Sequence, residues 1–72
     1  MELKYTQHAL RQMASRDIMK EDVEIALRRR IRTEAGSPNI RIVGYTSRQR
    51  ILKVCVSVHD KSLVKTAFWA DE

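Results

Sequence analysis

Residues 40–69 read IRIVGYTSRQRILKVCVSVHDKSLVKTAFW, and the spacing of apolar residues within them decides the fold. Ile40 to Ser47 alternates, Ile51 to His59 alternates with Leu52, Val54, Val56 and Val58 on one face, and Leu63 to Trp69 is rich in β-branched and aromatic residues. Successive side chains leave a strand on opposite faces, so a period of two marks half-buried strands. Arg48 to Arg50 and Asp60 to Ser62 are short enough to be hairpin connections, which makes the strands they join antiparallel. Ile31 to Glu34 fits a fourth, weaker strand. Before these strands, Gly36, Ser37, Pro38 and Asn39 form the clearest turn, since each favours turn geometry for its own backbone or side-chain reason.

Upstream the period changes from two to that of a helix. Ala9, Leu10, Met13 and Ala14 recur at helical spacing between Thr6 and Ser15, with Thr6 placed to accept a hydrogen bond as N-cap. His8, Arg11, Gln12 and Ser15 make the opposite, polar face, with Arg16 just past its end. A second helix is expected from about Lys20 to Arg30, with Met19, Val23, Ala26 and Leu27 on one stripe. Glu21, Asp22 and Glu24 stand at its positive N-terminal pole and Arg28, Arg29 and Arg30 at its negative C-terminal pole. The connection through Arg16, Asp17 and Ile18 is short, so the helices should be neighbours with Ile18 as an apolar plug. The expected class is α+β, two N-terminal helices packed on one face of a three- to four-stranded antiparallel sheet.

The chain has 72 residues, enough for one domain over 1–72. Fourteen Lys and Arg against nine Asp and Glu leave a net charge of +5, which points to nucleic acid or another acidic partner. A single Cys excludes an internal disulfide framework, and the few residues before Lys4 are too short for a signal peptide or a spanning helix. A cytoplasmic protein, monomeric or homodimeric through an exposed edge strand, is the expectation. Gly-rich phosphate loops, a serine nucleophile elbow and paired-carboxylate signatures are missing, which argues against the classes built on them. One Cys and two distant His do not have the paired spacing of a zinc site, so neither metal nor cofactor is expected.

The residues suited to chemistry are basic. His8 beside Arg11 and Arg16 suits RNA cleavage without metal, which needs a base for the 2′-hydroxyl proton, an acid for the leaving oxygen and cations for charge developing on the phosphate. The competing reading makes His8 a surface or capping residue. Arg28, Arg29, Arg30 and Arg32 are placed to grip phosphates, although a helix C-terminus attracts Arg for its dipole alone. Arg48, Arg50 and Lys53 add positive charge, and Lys65 and Thr66 beside Phe68 and Trp69 offer a hydroxyl between basic and aromatic groups. Thr66 is also simply a good strand former, and Phe68 and Trp69 suit core or edge packing. Cys55 alternates with Val54 and Val56 and reads as a small packed group.

Thr6, His8, Ala9, Met13, Arg16, Ile18, Asp22, Val23, Ala26 and Leu27, followed by alternating strands ending in Val64, Lys65, Thr66 and Ala67, resemble the family known as domain of unknown function 4258. The resemblance covers nearly the whole chain. That family is similar in turn to the RelE-like and BrnT-like ribonuclease toxins of bacterial toxin–antitoxin systems, in the barnase–EndoU–colicin–RelE-like group. The resemblance implies two helices before an antiparallel sheet, a metal-independent endoribonuclease and an acidic antitoxin as partner. It assigns catalytic roles to His8, Arg16 and Thr66. Relatives often carry a basic residue where Gln12 stands, so Arg11 is taken to substitute, and many carry Gly where Asp17 stands, a position suited to a left-handed turn.

Two function classes follow, an endoribonuclease that uses the substrate's own 2′-hydroxyl and a non-catalytic module that binds RNA or an acidic antitoxin. A helix-turn-helix DNA reader fits less well, because the second helix begins in acid where a recognition helix meets base edges.

Overall fold

The computed structural model describes residues 2–36 and 39–72. Along the chain it has β1 (Lys4–Tyr5), α1 (Gln7–Ser15), α2 (Lys20–Arg28), β2 (Arg30–Ala35), β3 (Asn39–Tyr45), β4 (Ile51–Ser57) and β5 (Leu63–Trp69). The sheet is five-stranded, in the order β1-β5-β4-β3-β2. Neighbours from β2 to β5 are antiparallel, whereas β1 runs parallel to β5. The expectation of three or four antiparallel strands is therefore corrected to a mixed sheet. β1 escaped the sequence because a two-residue strand shows no period; backbone N–H groups of Lys4 and Thr6 donate to Ser62 and Val64 at 2.8 and 3.1 Å and hold it there. The turn expected at Gly36–Asn39 falls on Ser37 and Pro38, outside the described residues.

Alternation places Ile40, Ile42 and Gly44 of β3, Leu52, Val54 and Val56 of β4, and Val64, Ala67 and Trp69 of β5 on one face of the sheet. Both helices cover that inner face, α1 over β5 and α2 over β3 and β4. α1 contributes Ala9 and Met13, α2 contributes Val23 and Ala26, and Ile18 fills the space at their junction as expected. The helical stripes are narrower than the sequence suggested. Leu10 is 40% exposed and Ala14 is exposed, because α1 lies at the side of the sheet and buries only one row. Met19 is 60% exposed because it is the N-cap of α2 rather than part of its stripe. α2 ends at Arg28, two residues before the expected end: Arg29 caps it and Arg30 already pairs with Gly44. Val58 lies beyond the end of β4 and is exposed.

Gly44 is where helix and sheet come closest. A β-carbon there would collide with the Ala26 carbonyl oxygen and lie 2.7 Å from its carbon. At the helix junction Asp17 adopts φ 56°, the left-handed turn expected of it, and Gln49 adopts φ 60° in the β3–β4 hairpin.

The loop into β5 is tied to β1 by charge. Lys4 Nζ donates to Asp60 Oδ2 at 2.6 Å, and Asp60 Oδ1 accepts from the Ser62 backbone N–H and hydroxyl. Lys4 first, then Ser62, pull the Asp60 carboxyl down to about 2. A depressed carboxyl contributes stability above its unfolded pKa of about 3.9 and loses it as pH falls through the folded value. Glu34 and Glu72 are shifted in the same direction. Asp60→Asn is therefore expected to lower the urea midpoint at neutral pH, with the gap to the parent closing as pH approaches 2. A gap independent of pH would show that the Lys4 pair does not tether β1.

Candidate functional site

His8 sits in the first turn of α1, held by Thr6, whose Oγ1 accepts from the Ala9 N–H at 3.0 Å. The same hydroxyl donates to the Lys65 carbonyl at 3.3 Å, which pins the start of α1 to β5. His8 and Arg11 are both exposed on this helix. Arg16 has a different setting. Its Nε donates to both carboxylate oxygens of Glu72 at 2.9 and 2.8 Å, and its Nη1 donates to Gln12 Oε1. The Glu72 carboxyl is lowered by the Trp69 N–H it accepts from and then by Arg16. Arg16 also accepts a 2.9 Å bond at its carbonyl from Trp69 Nε1. Its charge is already matched, and its role visible here is to join α1 to the end of β5.

Thr66 lies on the other side of the sheet from His8, and a bulge is the reason. Val56 pairs with Val64 while Cys55 pairs with Thr66, so Lys65 is an extra residue in β5. Strict alternation from the inward Val64 would turn Thr66 toward α1. The bulge moves Ala67 into that inward position and directs Thr66 outward. Of the four residues assigned catalytic roles, His8 and Arg11 share the exposed surface of α1, Arg16 is engaged with Glu72, and Thr66 is separated from them by the sheet.

The basic run is dispersed as well. Arg28 ends α2, Arg29 caps it, and Arg30 sits on the inner face of β2. A second bulge, at Ile31, follows: Arg30 pairs with Gly44 but Arg32 with Val43, which sends Arg32 to the outer face. Arg48 and Arg50 serve the fold. Arg48 donates to Asp22 at 2.9 Å and Asp17 at 3.3 Å, and Asp22, only 2% exposed, also accepts from the Met19 N–H. The Arg50 guanidinium lies 4.0 Å from the Trp69 ring centroid and donates to Asp71 at 3.0 Å.

The outer face assembles a group that sequence reasoning had only in part. Register aligns Phe68, Lys53, Val43 and Arg32 in one row and Thr66, Cys55, Arg41 and Glu34 in the next. Val43 and Cys55 are 2% and 8% exposed, so the longer side chains around them cover these short ones. Arg41 reaches across β4 to place its guanidinium 5.6 Å from the Phe68 ring centroid. Glu34 accepts from Arg32 Nε at 2.8 Å and Arg41 Nη1 at 3.4 Å, and these cations, Arg32 first, hold its carboxyl below the usual range. Arg32, Arg41 and Lys53 thus oppose a single carboxylate. Arg41 was missed; its alternation with Ile40 and Ile42, combined with hairpin register to Lys53, was the available signal. A cavity of about 300 Å³ opens at one end of this face, lined by Glu34, Ala35, Gly36, Asn39, Arg41 and Cys55. Asn39 Oδ1 is buried there with no hydrogen-bond partner among the described residues.

Chemically, the outer face offers an excess of positive charge over apolar and aromatic surface, whereas the surface of α1 offers an imidazole one turn from a guanidinium. Among the described residues, no three of His, Cys, Asp or Glu converge as metal ligands. No described helix is long and apolar enough to cross a membrane.

The family model described as Domain of unknown function (DUF4258) matches residues 5–69. No curated protein and no solved structure matches the chain.

Proposed function

The chain belongs to the DUF4258 family, and from that premise we propose that it is an RNA-binding domain that holds a single strand on the outer face of its sheet. The observation that carries this reading is the convergence of Arg32, Arg41 and Lys53 beside Phe68 on one face. Phosphates are gripped by mobile cations and bases stack on aromatic or guanidinium planes, so a sheet that interleaves the two suits a flexible strand. The net charge of +5 favours approach of the polyanion. An acidic antitoxin would meet the same cations and compete with RNA.

Fluorescence anisotropy with a labelled single-stranded RNA tests this. Binding is expected to weaken steeply with salt, and the Arg41→Gln, Lys53→Gln double variant should lose about tenfold or more at low salt with a shallower salt slope. Arg28→Gln, at the end of α2, should change little. Absence of binding at low salt, or equal affinity and slope in the double variant, would overturn the reading.

The second reading, a toxin-type endoribonuclease, rests on exposed His8 with Arg11 one turn away. The 2′-hydroxyl would attack phosphorus and expel the 5′-oxygen, leaving a 2′,3′-cyclic phosphate, with His8 moving the proton. Cleavage in excess chelator that His8→Ala abolishes would support it. No cleavage, or equal cleavage by His8→Ala, removes it and leaves RNA binding untouched.

A further inference from the structure

β2 closes the sheet on one side and pairs only with β3, so the backbone groups along its other edge have no strand partner among the described residues. We propose that this edge docks on the same edge of a second copy of the chain, antiparallel, about a two-fold axis through Thr33. In that register Arg32 faces the second copy's Glu34, Thr33 faces its counterpart, and Ile31 faces the second copy's Ala35.

The charge pattern selects this register over its neighbours. Residues opposite one another across an antiparallel pair share a face of the sheet, so only registers that keep the two outer faces in phase are allowed. An axis through Arg32 would set Arg32 against itself. One through Glu34 would oppose two carboxylates. The axis through Thr33 alone among these three opposes no like charges, and it pairs Arg32 with Glu34 twice, because a two-fold contact repeats each pair. An axis through Arg32 would also bring Glu34 opposite Arg30, but the Ile31 bulge puts Arg30 on the inner face and Glu34 on the outer one. Both Arg32 and Glu34 stand on the outer face, where Arg41 already approaches Glu34. Signs then alternate across the axis from Arg41 of one copy to Arg41 of the other.

Apolar surface at the edge fits the same occupant. Ile31 is 43% exposed and Ala35 is exposed, although both lie in a strand. α2 packs chiefly on β3 and β4, and Thr33 on the inner face of β2 is exposed. This leaves a cavity of about 170 Å³ beside Leu27, Thr33, Ile40 and Ile42. A charged edge with a bulge is how sheets discourage indiscriminate pairing. Here the like charges at the centre disfavour the registers centred on Arg32 and Glu34 and leave the one centred on Thr33. The regular stretch beyond the Ile31 bulge is short, so the contact belongs with weak, transient interfaces and the association is expected in the micromolar range or weaker. Opposite residues sharing a face also means that the two basic outer faces join into one. The proposal does not depend on what that face binds.

Sedimentation velocity over a concentration range reaching millimolar reads self-association of the full chain. Arg32→Glu and Glu34→Arg, each folded as judged by circular dichroism and melting, should each weaken it about tenfold or more, since each brings like charges together at two symmetric positions. Mixed in equal amounts, the two variants should associate with each other as well as the parent does with itself, because every Glu of one then faces an Arg of the other. In a Cys55→Ala background, Thr33→Cys should form a disulfide-linked dimer under mild oxidation, opposed Cα atoms at about 4.5–5.5 Å being within disulfide reach. Val58→Cys, exposed but off β2, should not. A monomer at every concentration, self-association indifferent to both charge variants, or a mixture that fails to associate would overturn the proposal.

Discussion

Gly44→Ala is expected to leave little native protein at room temperature. The added β-carbon would occupy the position of the Ala26 carbonyl group, which is helix backbone and cannot rotate away as a side chain would. Relief requires α2 to lift from β3. That motion would expose Val23, Ala26 and Ile42, which are almost wholly buried, and would pull Asp22 from Arg48. Overpacking a tight core usually costs about 1–3 kcal/mol, and backbone displacement brings the upper end or beyond. A domain of this size has only about 3–5 kcal/mol from its core. Urea denaturation followed by far-ultraviolet circular dichroism measures the loss. A variant within about 0.5 kcal/mol of the parent would show that α2 does not rest on Gly44.

Trp69→Ala should cost about 3–5 kcal/mol, the usual range for truncating a buried large aromatic. Trp69 is 3% exposed and meets three parts of the molecule. Its ring fills the inner face opposite Leu52, its Nε1–H is bonded to the Arg16 carbonyl at the helix junction, and its π face carries Arg50 and Arg48 at 4.0 and 5.6 Å. Truncation leaves a cavity, an unpaired carbonyl and two guanidinium groups without their platform. Trp69→Phe separates these contributions: it keeps a ring in the core but loses the N–H donor, and should recover most of the stability with a deficit of about 1 kcal/mol. Equal losses for Ala and Phe would shift the weight from packing to the hydrogen bond. A loss below about 1 kcal/mol for Ala would remove Trp69 from the centre of the account.

Those two positions also show how far local pattern reaches. Trp69 reads from its strand as apolar packing, and the structure agrees. Gly44 looks like one more small residue in an alternating run, and nothing in that run announces a helix backbone pressed on it. The candidate site divides in the same way. Arg32 and Lys53 stand out in the sequence as cations, whereas Arg41, one charged residue between two isoleucines on a strand, looks like ordinary alternation. Arg16, prominent beside a histidine in one dimension, meets Glu72 only after β5 has brought residues 56 apart in sequence together.

The two helices, the strands β2 to β5, the position of the hairpins and the N-cap at Thr6 were determined by the sequence itself, because each depends on side-chain period or backbone preference within a few residues; the left-handed turn at Asp17 was implied by the family resemblance. Tertiary structure alone decided the parallel β1, the close approach of the Ala26 backbone to Gly44, the pairing of Arg16, and which basic residues share a face. The physical reason is that faces are assigned by register. One extra residue, Lys65 in β5 or Ile31 in β2, inverts every assignment beyond it, and the extra residue shows only when the strand is paired with its neighbour.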